Sequence, residues 1–412
     1  PPKGYKLDEK IYTFTINGGD TTLSVEDEPG TLTLRLKKKD SQTGSTPQGN
    51  ASLAGAVYQV TYQKGGQTVT QELTSDSSGN LGTLEGIPFG TISVKELSAP
   101  EGYRLDTEVH TYTVDGSQLT GDTYTLEVDD LTEEVHRGGL TIQKLDSETG
   151  TTPQGDASLE GISFEIVNQS QNPVVVNGFT ASPGQVAMTI TTNVAGVATT
   201  GENALPYGTY EVLESATNES MLLTWQGETV QVRQNGHSVS VTAVDEVERG
   251  GLSVEKQDTI TGSTPQGDAD FEGITFEIIN NSRNPVIVED QKYQPGEVVK
   301  TLVTDDQGKA STSDDLLPYG EYILHESTTN ENMLLTAPDQ TVLVEEDGVM
   351  YEFTMADEVV RGGVLIEKRD LESGLLTPLG GASLDGTLFE ITNKSVNAVY
   401  VGGALYQPGE VC

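Results

Sequence analysis

The chain is poor in cysteine, in aromatic side chains and in basic residues. Its 412 residues include a single cysteine, Cys412, so no disulfide can form within the chain. It has no run of about 20 apolar residues, the length that a membrane-spanning helix needs, and no signal peptide opens the sequence. A secreted chain without disulfides needs either large enough cores or another kind of staple.

The scarcity of basic residues makes the chain strongly acidic. There are 23 Lys and Arg residues against 63 Asp and Glu residues, which gives a formal net charge of −40. This charge would repel phosphates, so nucleic acid is excluded as a partner. An acidic excess favours a soluble, self-repelling surface outside the cell. With 34% hydrophobic and only 6% aromatic residues, the composition favours several modest β-cores over one large core.

What the sequence does contain is an internal repeat of 112 residues. The motif Arg-Gly-Gly begins at positions 137, 249 and 361. The motif Thr-Pro-Gln-Gly occurs at 46–49, 152–155 and 264–267, and Thr-Pro-Leu-Gly follows at 377–380. Alternating apolar and polar residues between these motifs are broken by Gly, Pro, Asn and Asp, which is typical of short strands joined by turns. The sequence therefore predicts an all-β fold of tandem β-sandwiches with about seven strands each.

The repeat divides the chain into three complete units and two partial ones. The complete units, called here the first, second and third repeats, are residues 30–137, 138–249 and 250–361. Residues 1–29 match the C-terminal part of an upstream repeat, and residues 362–412 match the N-terminal part of a further, truncated repeat. We therefore expect the sequence to be a segment of a longer protein. The linkers between units are only a few residues long, which predicts a semi-stiff string of domains.

A lysine recurs where each repeat should bury apolar side chains. Lys144, Lys256 and Lys368 are spaced 112 residues apart, and each follows two aliphatic residues in the alternation of a strand. Lys38 holds the same position in the first repeat, after two leucines. Because successive side chains of a strand point to opposite faces, each lysine shares the inner face with its aliphatic neighbours. A lone buried ammonium is costly, so its recurrence indicates a purpose.

Two acidic residues in each repeat follow the same alternation. The inward glutamates are Glu96, Glu214 and Glu326. The final strand of a repeat places an aspartate inward, and these aspartates are Asp245, Asp357 and, in the first partial unit, Asp27. In the first repeat the alternation that ends at Val128 selects Asp130, with Asp129 as the alternative. Each repeat thus offers one inward Lys, one inward Glu and one inward Asp on three separate strands.

Two interpretations account for this triad. The first is a buried salt bridge, which needs excellent geometry merely to break even. The second is that Lys and Asp have condensed into an amide. An apolar core lowers the pKa of lysine and raises the pKa of carboxyl groups, so a neutral amine can attack a protonated aspartic acid while the glutamic acid moves protons. The amide is neutral, which removes the cost of burying two charges.

The ordered motifs resemble those of the Cna B-type domain. The residues that carry the resemblance are KLDSETG at 144–150, YEVLES at 210–215 and VDE at 244–246. This domain is the transthyretin-like, inverse immunoglobulin sandwich of Gram-positive pilins and adhesins, of the SpaA-pilin kind. The resemblance covers nearly the whole chain. It implies an intramolecular isopeptide bond from a first-strand Lys to an Asn or Asp of the last strand, assisted by a Glu.

Carried over by position, the resemblance implies three complete bonds. They are Lys38–Asp130 with Glu96, Lys144–Asp245 with Glu214, and Lys256–Asp357 with Glu326. Asp27 and Lys368 would bond to residues outside this sequence. The acceptor is Asp where many relatives have Asn, so water rather than ammonia should leave. Such a bond ties the first strand to the last, so that force can cross the repeat without shearing the sheet, and it restricts the unfolded state.

These features predict the structural stalk of a bacterial cell-surface adhesin or pilin-like protein, with no enzymatic activity beyond single-turnover self-cross-linking. The resemblance implies a cell-wall-anchored, extracellular location, neighbouring repeats as partners, and a distal domain that binds a host surface or matrix. Alternatively, the repeats themselves bind a host protein or glycan, which a wide apolar patch repeated on one face would favour. A hydrolase would need a free pair of clustered carboxylates in a cleft. The four histidines have no metal-ligand spacing, so neither a metal nor a cofactor is expected.

Overall fold

The computed structural model describes residues 1–118 and 123–412 of the chain. In this part of the chain the regular elements are β-strands, apart from one 3-10 turn at Gly116–Gln118. The predicted all-β fold is confirmed. The chain divides into two compact units: Pro1–Lys144, Glu160–Ala216 and Trp225–Ala243 form one, and Leu145–Leu159, Thr217–Thr224 and Val244–Cys412 form the other.

The first repeat lies within the first unit and forms two sheets. Its strands are β1 (Thr31–Asp40), β2 (Val57–Lys64), β3 (Gln67–Thr74), β4 (Asn80–Pro88), β5 (Gly90–Ser98), β6 (Val109–Val114) and β7 (Thr123–Glu133). One sheet has the order β4-β1-β7 and the other has the order β3-β2-β5-β6. Strand β1 is antiparallel to β4 and parallel to β7, so the first and last strands of the repeat are neighbours.

Side chains from both sheets of the first repeat pack together in a shared core cluster. Leu34 and Leu36 of β1 pack in one cluster with Tyr58 and Val60 of β2. Burial of a large apolar side chain stabilises a fold by roughly 1.5–3 kcal/mol. Strand β1 alternates between buried and more exposed residues along its length. Lys38 continues that alternation and is therefore fully buried.

The second repeat is built from longer strands and several very short ones. They are β8 (Arg137–Asp146), β9 (Ser163–Asn168), β10 (Val174–Val176), β11 (Phe179–Ala181), β12 (Val186–Thr191), β13 (Val197–Thr199), β14 (Leu205–Pro206), β15 (Gly208–Ala216), β16 (Glu228–Val232) and β17 (Ser238–Asp245). One sheet has the order β12-β9-β15-β16, and β13, β14 and β17 pair with β8 in another. Strand β8 buries Leu140 and Ile142 on the face that also carries Lys144.

The third repeat lies in the second unit. Its strands are β18 (Arg249–Asp258), β19 (Thr275–Asn280), β20 (Val286–Val288), β21 (Gln291–Tyr293), β22 (Val298–Val303), β23 (Lys309–Ser311), β24 (Leu317–Pro318), β25 (Gly320–Thr328), β26 (Met333–Leu334), β27 (Gln340–Val344) and β28 (Met350–Val359). The two main sheets have the orders β22-β19-β25-β27 and β23-β18-β28-β26, and β24 also pairs with β18. Strands β18 and β28 are parallel and in continuous register, with Leu252 and Met355 in the core between the sheets.

The segments outside the three repeats carry one predicted site residue each. In the final segment, β29 (Val399–Val401) and β30 (Ala404–Tyr406) form a hairpin. Asp27 and Lys368 are both exposed, and so are their apolar neighbours Val25 and Ile366. The bonds expected from Asp27 and Lys368 to residues outside this sequence stay predictions.

Consecutive repeats are linked by the same hydrogen bonds at three places, each of which we call a joint. In every joint the glutamine of the Thr-Pro-Gln-Gly turn accepts a hydrogen bond from a backbone amide of the following segment. The pairs are Gln48 with Val175 at 2.9 Å, Gln154 with Ile287 at 2.7 Å and Gln266 with Tyr400 at 2.9 Å. The glycine that follows the glutamine adds two backbone hydrogen bonds, as Gly155 does with Pro285 and Asn284.

Each joint glutamine is also tied to the first strand of its own repeat. Its side-chain amide donates to a buried aspartate at the end of that strand, and these aspartates are Asp40, Asp146 and Asp258. Each aspartate comes two residues after the buried lysine, so both side chains lie on the same face of the strand. The recurring Lys-x-Asp pattern is therefore the sequence signal that marks each joint.

Candidate cross-linking sites

Three charged side chains from three strands meet inside the third repeat. Lys256 projects from β18, Glu326 from β25 and Asp357 from β28, and all three are buried. Lys256 Nζ lies 2.5 Å from Glu326 Oε2 and 2.7 Å from Asp357 Oδ2. The structure thus brings together the three residues that the sequence singled out in this repeat.

The two oxygens of Asp357 have different surroundings. Oδ2 faces Lys256, whereas Oδ1 accepts hydrogen bonds from the backbone amides of Thr336 at 2.8 Å and Ala337 at 2.7 Å. The Thr336 hydroxyl donates to the same oxygen at 3.1 Å. Donors fixed around a carbonyl oxygen stabilise the negative charge that develops on it during nucleophilic attack. Asp357 is therefore placed as an acceptor whose Oδ1 is already surrounded by donors.

The two carboxyl groups of this site differ in pKa. Burial raises the pKa of Glu326 to about 6, and the neighbouring Asp357 adds to the rise while Lys256 opposes it. Burial also disfavours the charged form of Asp357, but hydrogen bonds from Lys256, Thr336 and Ala337 outweigh it and lower the pKa of Asp357. The expectation of a protonated aspartic acid is therefore corrected, because Glu326 is the carboxyl that holds a proton more readily.

The second repeat places equivalent residues in a similar environment. Lys144 Nζ donates to Glu214 Oε2 at 2.7 Å, and both side chains are fully buried. Asp245 is buried, and its Oδ1 accepts hydrogen bonds from the Thr224 amide at 3.2 Å and the Thr224 hydroxyl at 2.9 Å. Thr224 comes 112 residues before Thr336. The bond between Lys144 and Asp245 stays a prediction.

The structure corrects the inward position predicted for Asp130 in the first repeat. Asp130 is exposed and accepts a hydrogen bond from the Tyr112 hydroxyl at 2.8 Å. The alternative, Asp129, is also exposed and forms an ion pair with Lys39 at 2.7 Å. The cause is an irregularity in the pairing of β1 with β7, where the register shifts between Leu36 and Lys38. Such a bulge breaks the period-two alternation on which the choice of Asp130 depended.

Glu133 holds the inward position in place of Asp130. It is buried, and its Oε2 contacts Lys38 Nζ, while Glu96 Oε1 lies 3.6 Å from the same nitrogen. The first repeat therefore brings Lys38 and Glu96 together as predicted, but with a glutamate as the third member.

The register and the sequence both identify Glu133 as the counterpart of the aspartates. Glu133 pairs with Asp40 across β1 and β7, as Asp357 pairs with Asp258 across β18 and β28. Glu133, Asp245 and Asp357 each come four residues before the arginine of an Arg-Gly-Gly motif. That spacing is the sequence signal that finds Glu133, since it does not depend on regular alternation.

Two kinds of feature do not occur in the described parts of the chain. No three or more His, Cys, Asp and Glu side chains in residues 1–118 and 123–412 are grouped so that they could hold a metal ion. Within the same residues, no helix combines the length and the apolar character required to cross a membrane.

Comparison with known families matches three segments of the chain to one family. The SpaA family, described as a prealbumin-like fold domain, matches residues 33–130, 138–247 and 252–359. The first matched segment contains Lys38 and Glu96 and ends before Glu133. A comparison with curated proteins gives no match.

Several solved structures are similar to this chain at low sequence identity. The Bacillus anthracis TIE protein is 23% identical with a TM-score of 0.51, and the match covers 81% of this chain but 51% of that one, so this chain spans about half its length. BcpA, the major pilin subunit of Bacillus cereus, is 16% identical with a TM-score of 0.30, and the match covers 80% of this chain and 99% of that one. The pilus adhesin SpaC of Lactobacillus rhamnosus GG is 14% identical with a TM-score of 0.30, over 81% and 45% of the two chains. The three family matches together span most of the sequence, and the chain belongs to the SpaA family of prealbumin-like fold domains.

Proposed function

We propose that the chain is a stretch of the structural stalk of a Gram-positive surface adhesin or pilin-like protein, and that its repeats are stapled by isopeptide bonds that the protein forms by itself. The observation that carries the proposal is the enclosed triad of the third repeat, in which the Lys256 amine lies 2.7 Å from one oxygen of Asp357. The equivalent lysine and glutamate meet in the second repeat. Membership of the SpaA family supports the same conclusion.

The bond in the third repeat forms by attack of the neutral Lys256 amine on the carboxyl carbon of Asp357. Negative charge that develops on Oδ1 is stabilised by the Thr336 and Ala337 donors. Protonated Glu326 gives its proton to Oδ2, then takes one proton from the attacking nitrogen and passes it to the same oxygen. A C–N bond forms, the C–Oδ2 bond breaks, and that oxygen leaves as one molecule of water. Fixed neighbours in this geometry reach effective concentrations of about 10⁵ M or more.

The burial of the reactants favours the product. Before the reaction the third repeat holds one amine and two carboxyl groups away from water, and removing charged groups from water is costly even when they are paired. The amide is neutral, so its formation removes the charges of Lys256 and Asp357 from the core. The apolar core therefore destabilises the repeat without the bond, which buries a charged lysine, and favours the repeat in which the bond has formed.

The position of the bond suits a protein that bears tension. Strands β18 and β28 are the first and last strands of the third repeat and lie side by side. A covalent link between them joins the strand that enters the repeat to the strand that leaves it, so a pulling force crosses the repeat through the link. We assign the modules to residues 30–137, 138–249 and 250–361, outside the cell and anchored to the wall. Neighbouring repeats are then their direct partners, and a distal domain would contact the host.

The alternative, in which the repeats themselves bind a host ligand, calls for an apolar patch that recurs on one face. Phe179 and Val194 are exposed large hydrophobic residues of the second repeat. One period later their places are taken by Gln291 and Asp306. Exposed hydrophobic residues recur at two other positions, Val186 with Val298 and Leu223 with Leu335, which is less than the wide repeated patch that the binding alternative calls for.

The intact mass of the full chain tests the proposal. We expect the measured mass to be lower than the mass calculated from the sequence by one water for each repeat in which the bond has formed. Lys256→Ala should regain the water of the third repeat alone, because the other two sites keep their lysines. Lys309→Ala removes an exposed lysine from the same repeat and serves as the matched control, with every bond retained. A wild-type mass equal to the sequence mass would exclude the bonds.

A further inference from the structure

We propose that the first repeat closes a bond of a different chemical type, an isopeptide between Lys38 Nζ and the side-chain carboxyl carbon of Glu133. The inference rests on the proposed function, since it uses the same condensation. It differs in the acceptor, which is a glutamate one methylene longer than the aspartates of the other repeats. The contact between Lys38 Nζ and Glu133 Oε2 in a fully enclosed site is its starting point.

Glu133 is aligned with the other acceptors by the backbone as well as by the side chain. Its carbonyl oxygen accepts a hydrogen bond from the Ser41 amide at 2.9 Å, as that of Asp357 does from the Thr259 amide at 2.9 Å. Beyond the β-bulge at Asp129 and Asp130, β7 therefore pairs with β1 in the same register as β28 does with β18. The extra methylene of Glu133 is the remaining difference in reach between the two acceptors.

A second residue of the first repeat, Tyr58, also differs from its counterparts in the other two repeats. Tyr58 pairs with Glu96 across β2 and β5, and the residues that pair in the same way with Glu214 and Glu326 are Phe164 and Phe276. The Tyr58 hydroxyl donates a hydrogen bond to Glu133 Oε1 at 2.7 Å inside the core. Phenylalanine could not make this bond. Tyrosine in place of phenylalanine thus supplies a donor at the position that the longer acceptor reaches.

The backbone amide that binds the acceptor in the third repeat has a counterpart in the first repeat that binds the assisting glutamate instead. In the third repeat the Thr336 and Ala337 amides bind the acceptor Asp357. In the first repeat the Asp106 amide binds the assisting Glu96, at 2.8 Å from Oε2. The hydrogen bond from Tyr58 therefore takes over the stabilisation of charge on the acceptor oxygen, Glu133 Oε1.

Glu96 is suited to move the protons of this reaction. Burial raises the pKa of Glu96 to about 8, and hydrogen bonding with Glu133 adds to the rise. The neutral Lys38 amine attacks Cδ of Glu133, and a C–N bond forms. Protonated Glu96 gives its proton to Oε2, then takes one proton from the attacking nitrogen and passes it to the same oxygen. The C–Oε2 bond breaks, and one water leaves. No oxidant, metal or further reactant is required.

Peptide mapping of the full chain by mass spectrometry tests this bond. Trypsin cuts after Arg104 and Arg137, so Glu133 lies in a peptide that also contains Asp129 and Asp130. We expect this peptide to be joined to Lys38 and to be lighter by one water, with fragment ions that place the link at Glu133. Glu133→Gln should give a product of identical mass, because the same amide forms with loss of ammonia.

Two further variants examine the roles of the neighbours. Glu96→Ala should leave Lys38 and Glu133 unlinked. Tyr58→Phe restores the residue type of positions 164 and 276 and should leave a share of molecules heavier by one water. If every Tyr58→Phe molecule carried the Lys38–Glu133 bond, the Tyr58 hydroxyl would not be needed to stabilise charge on Glu133 Oε1.

The outcome separates this inference from the proposed function. If Lys38 is unlinked or joined to another residue while Lys256 is joined to Asp357, the Lys38–Glu133 bond is excluded and the proposed function stands. If Lys256 and Asp357 are also unlinked, both proposals fail. A link at Glu133 in the wild type and in Glu133→Gln supports the inference.

Discussion

Replacing Asp357 by alanine is expected to lower the melting temperature of the third repeat by roughly 20 °C or more. A cross-link that closes a loop of about 100 residues stabilises a fold by about 4.7 kcal/mol through chain entropy. For a domain of this size each kcal/mol shifts the melting temperature by roughly 4–8 °C. The variant also leaves Lys256 buried beside Glu326 without its second acidic neighbour, which adds to the destabilisation.

The matched control is Asp357→Asn. Asparagine accepts the same attack and releases ammonia. This variant should therefore form the same covalent product and have the same melting temperature as the wild type. Scanning calorimetry of the full chain, combined with proteolysis at rising temperature, would assign the early transition to fragments from residues 250–361. The proposed bond in this repeat would be wrong if the melting temperature of Asp357→Ala equalled that of the wild type. It would also be wrong if Asp357→Asn melted at the lower temperature of Asp357→Ala.

Gly155→Ala is expected to open the joint between the second and third repeats. A Cβ atom at this position would overlap the carbonyl oxygen of Tyr319, which is backbone and cannot rotate away. The joint would then lose the bonds of Gln154 to Ile287 and of the Asp156 amide to Tyr319. At about 1 kcal/mol for each hydrogen bond, several lost together should speed amide exchange at Ile287 by roughly tenfold or more. Hydrogen exchange followed by mass spectrometry would detect the change in peptides that span residues 283–288.

Gly150→Ala provides the control for the joint. Gly150 also has a positive φ, 74° against 57° for Gly155, so alanine meets comparable backbone strain at both positions. A Cβ atom at Gly150 would have no neighbour within 4 Å. Protection of Ile287 should therefore survive Gly150→Ala and fall in Gly155→Ala. Equal loss in both variants would show that backbone strain in the turn, and not the overlap with Tyr319, opens the joint.

The sequence predicted most of the fold and much of each site because both depend on local alternation. A strand has a side-chain period of two, so Lys256, Glu326 and Asp357 could each be assigned to the inner face from their immediate neighbours. The 112-residue period then related these residues to Lys144, Glu214 and Asp245 without any knowledge of the fold.

The same local rule failed where the backbone departed from regularity. One extra residue in β7 moved Asp130 to the surface and Glu133 into the core, and a bulge leaves no reliable mark in an alternating pattern. The joints were missed for another reason. Gln48 and Val175 are 127 residues apart, and no periodicity within a strand reports which distant amide a buried side chain will meet. The pKa order of Glu326 and Asp357 likewise depends on donors from a separate loop.

The three joints also bear on how a chain of this kind can change in length. Gln48, Gln154 and Gln266 bind their partners with the same atoms, so the Thr-Pro-Gln-Gly turn of each repeat can bind the amide that the second repeat, the third repeat and the final segment all present. A gene that gained or lost one whole 112-residue period by recombination would encode a chain whose new junction already fits. Repeat number can therefore vary among descendants without the evolution of a new contact surface.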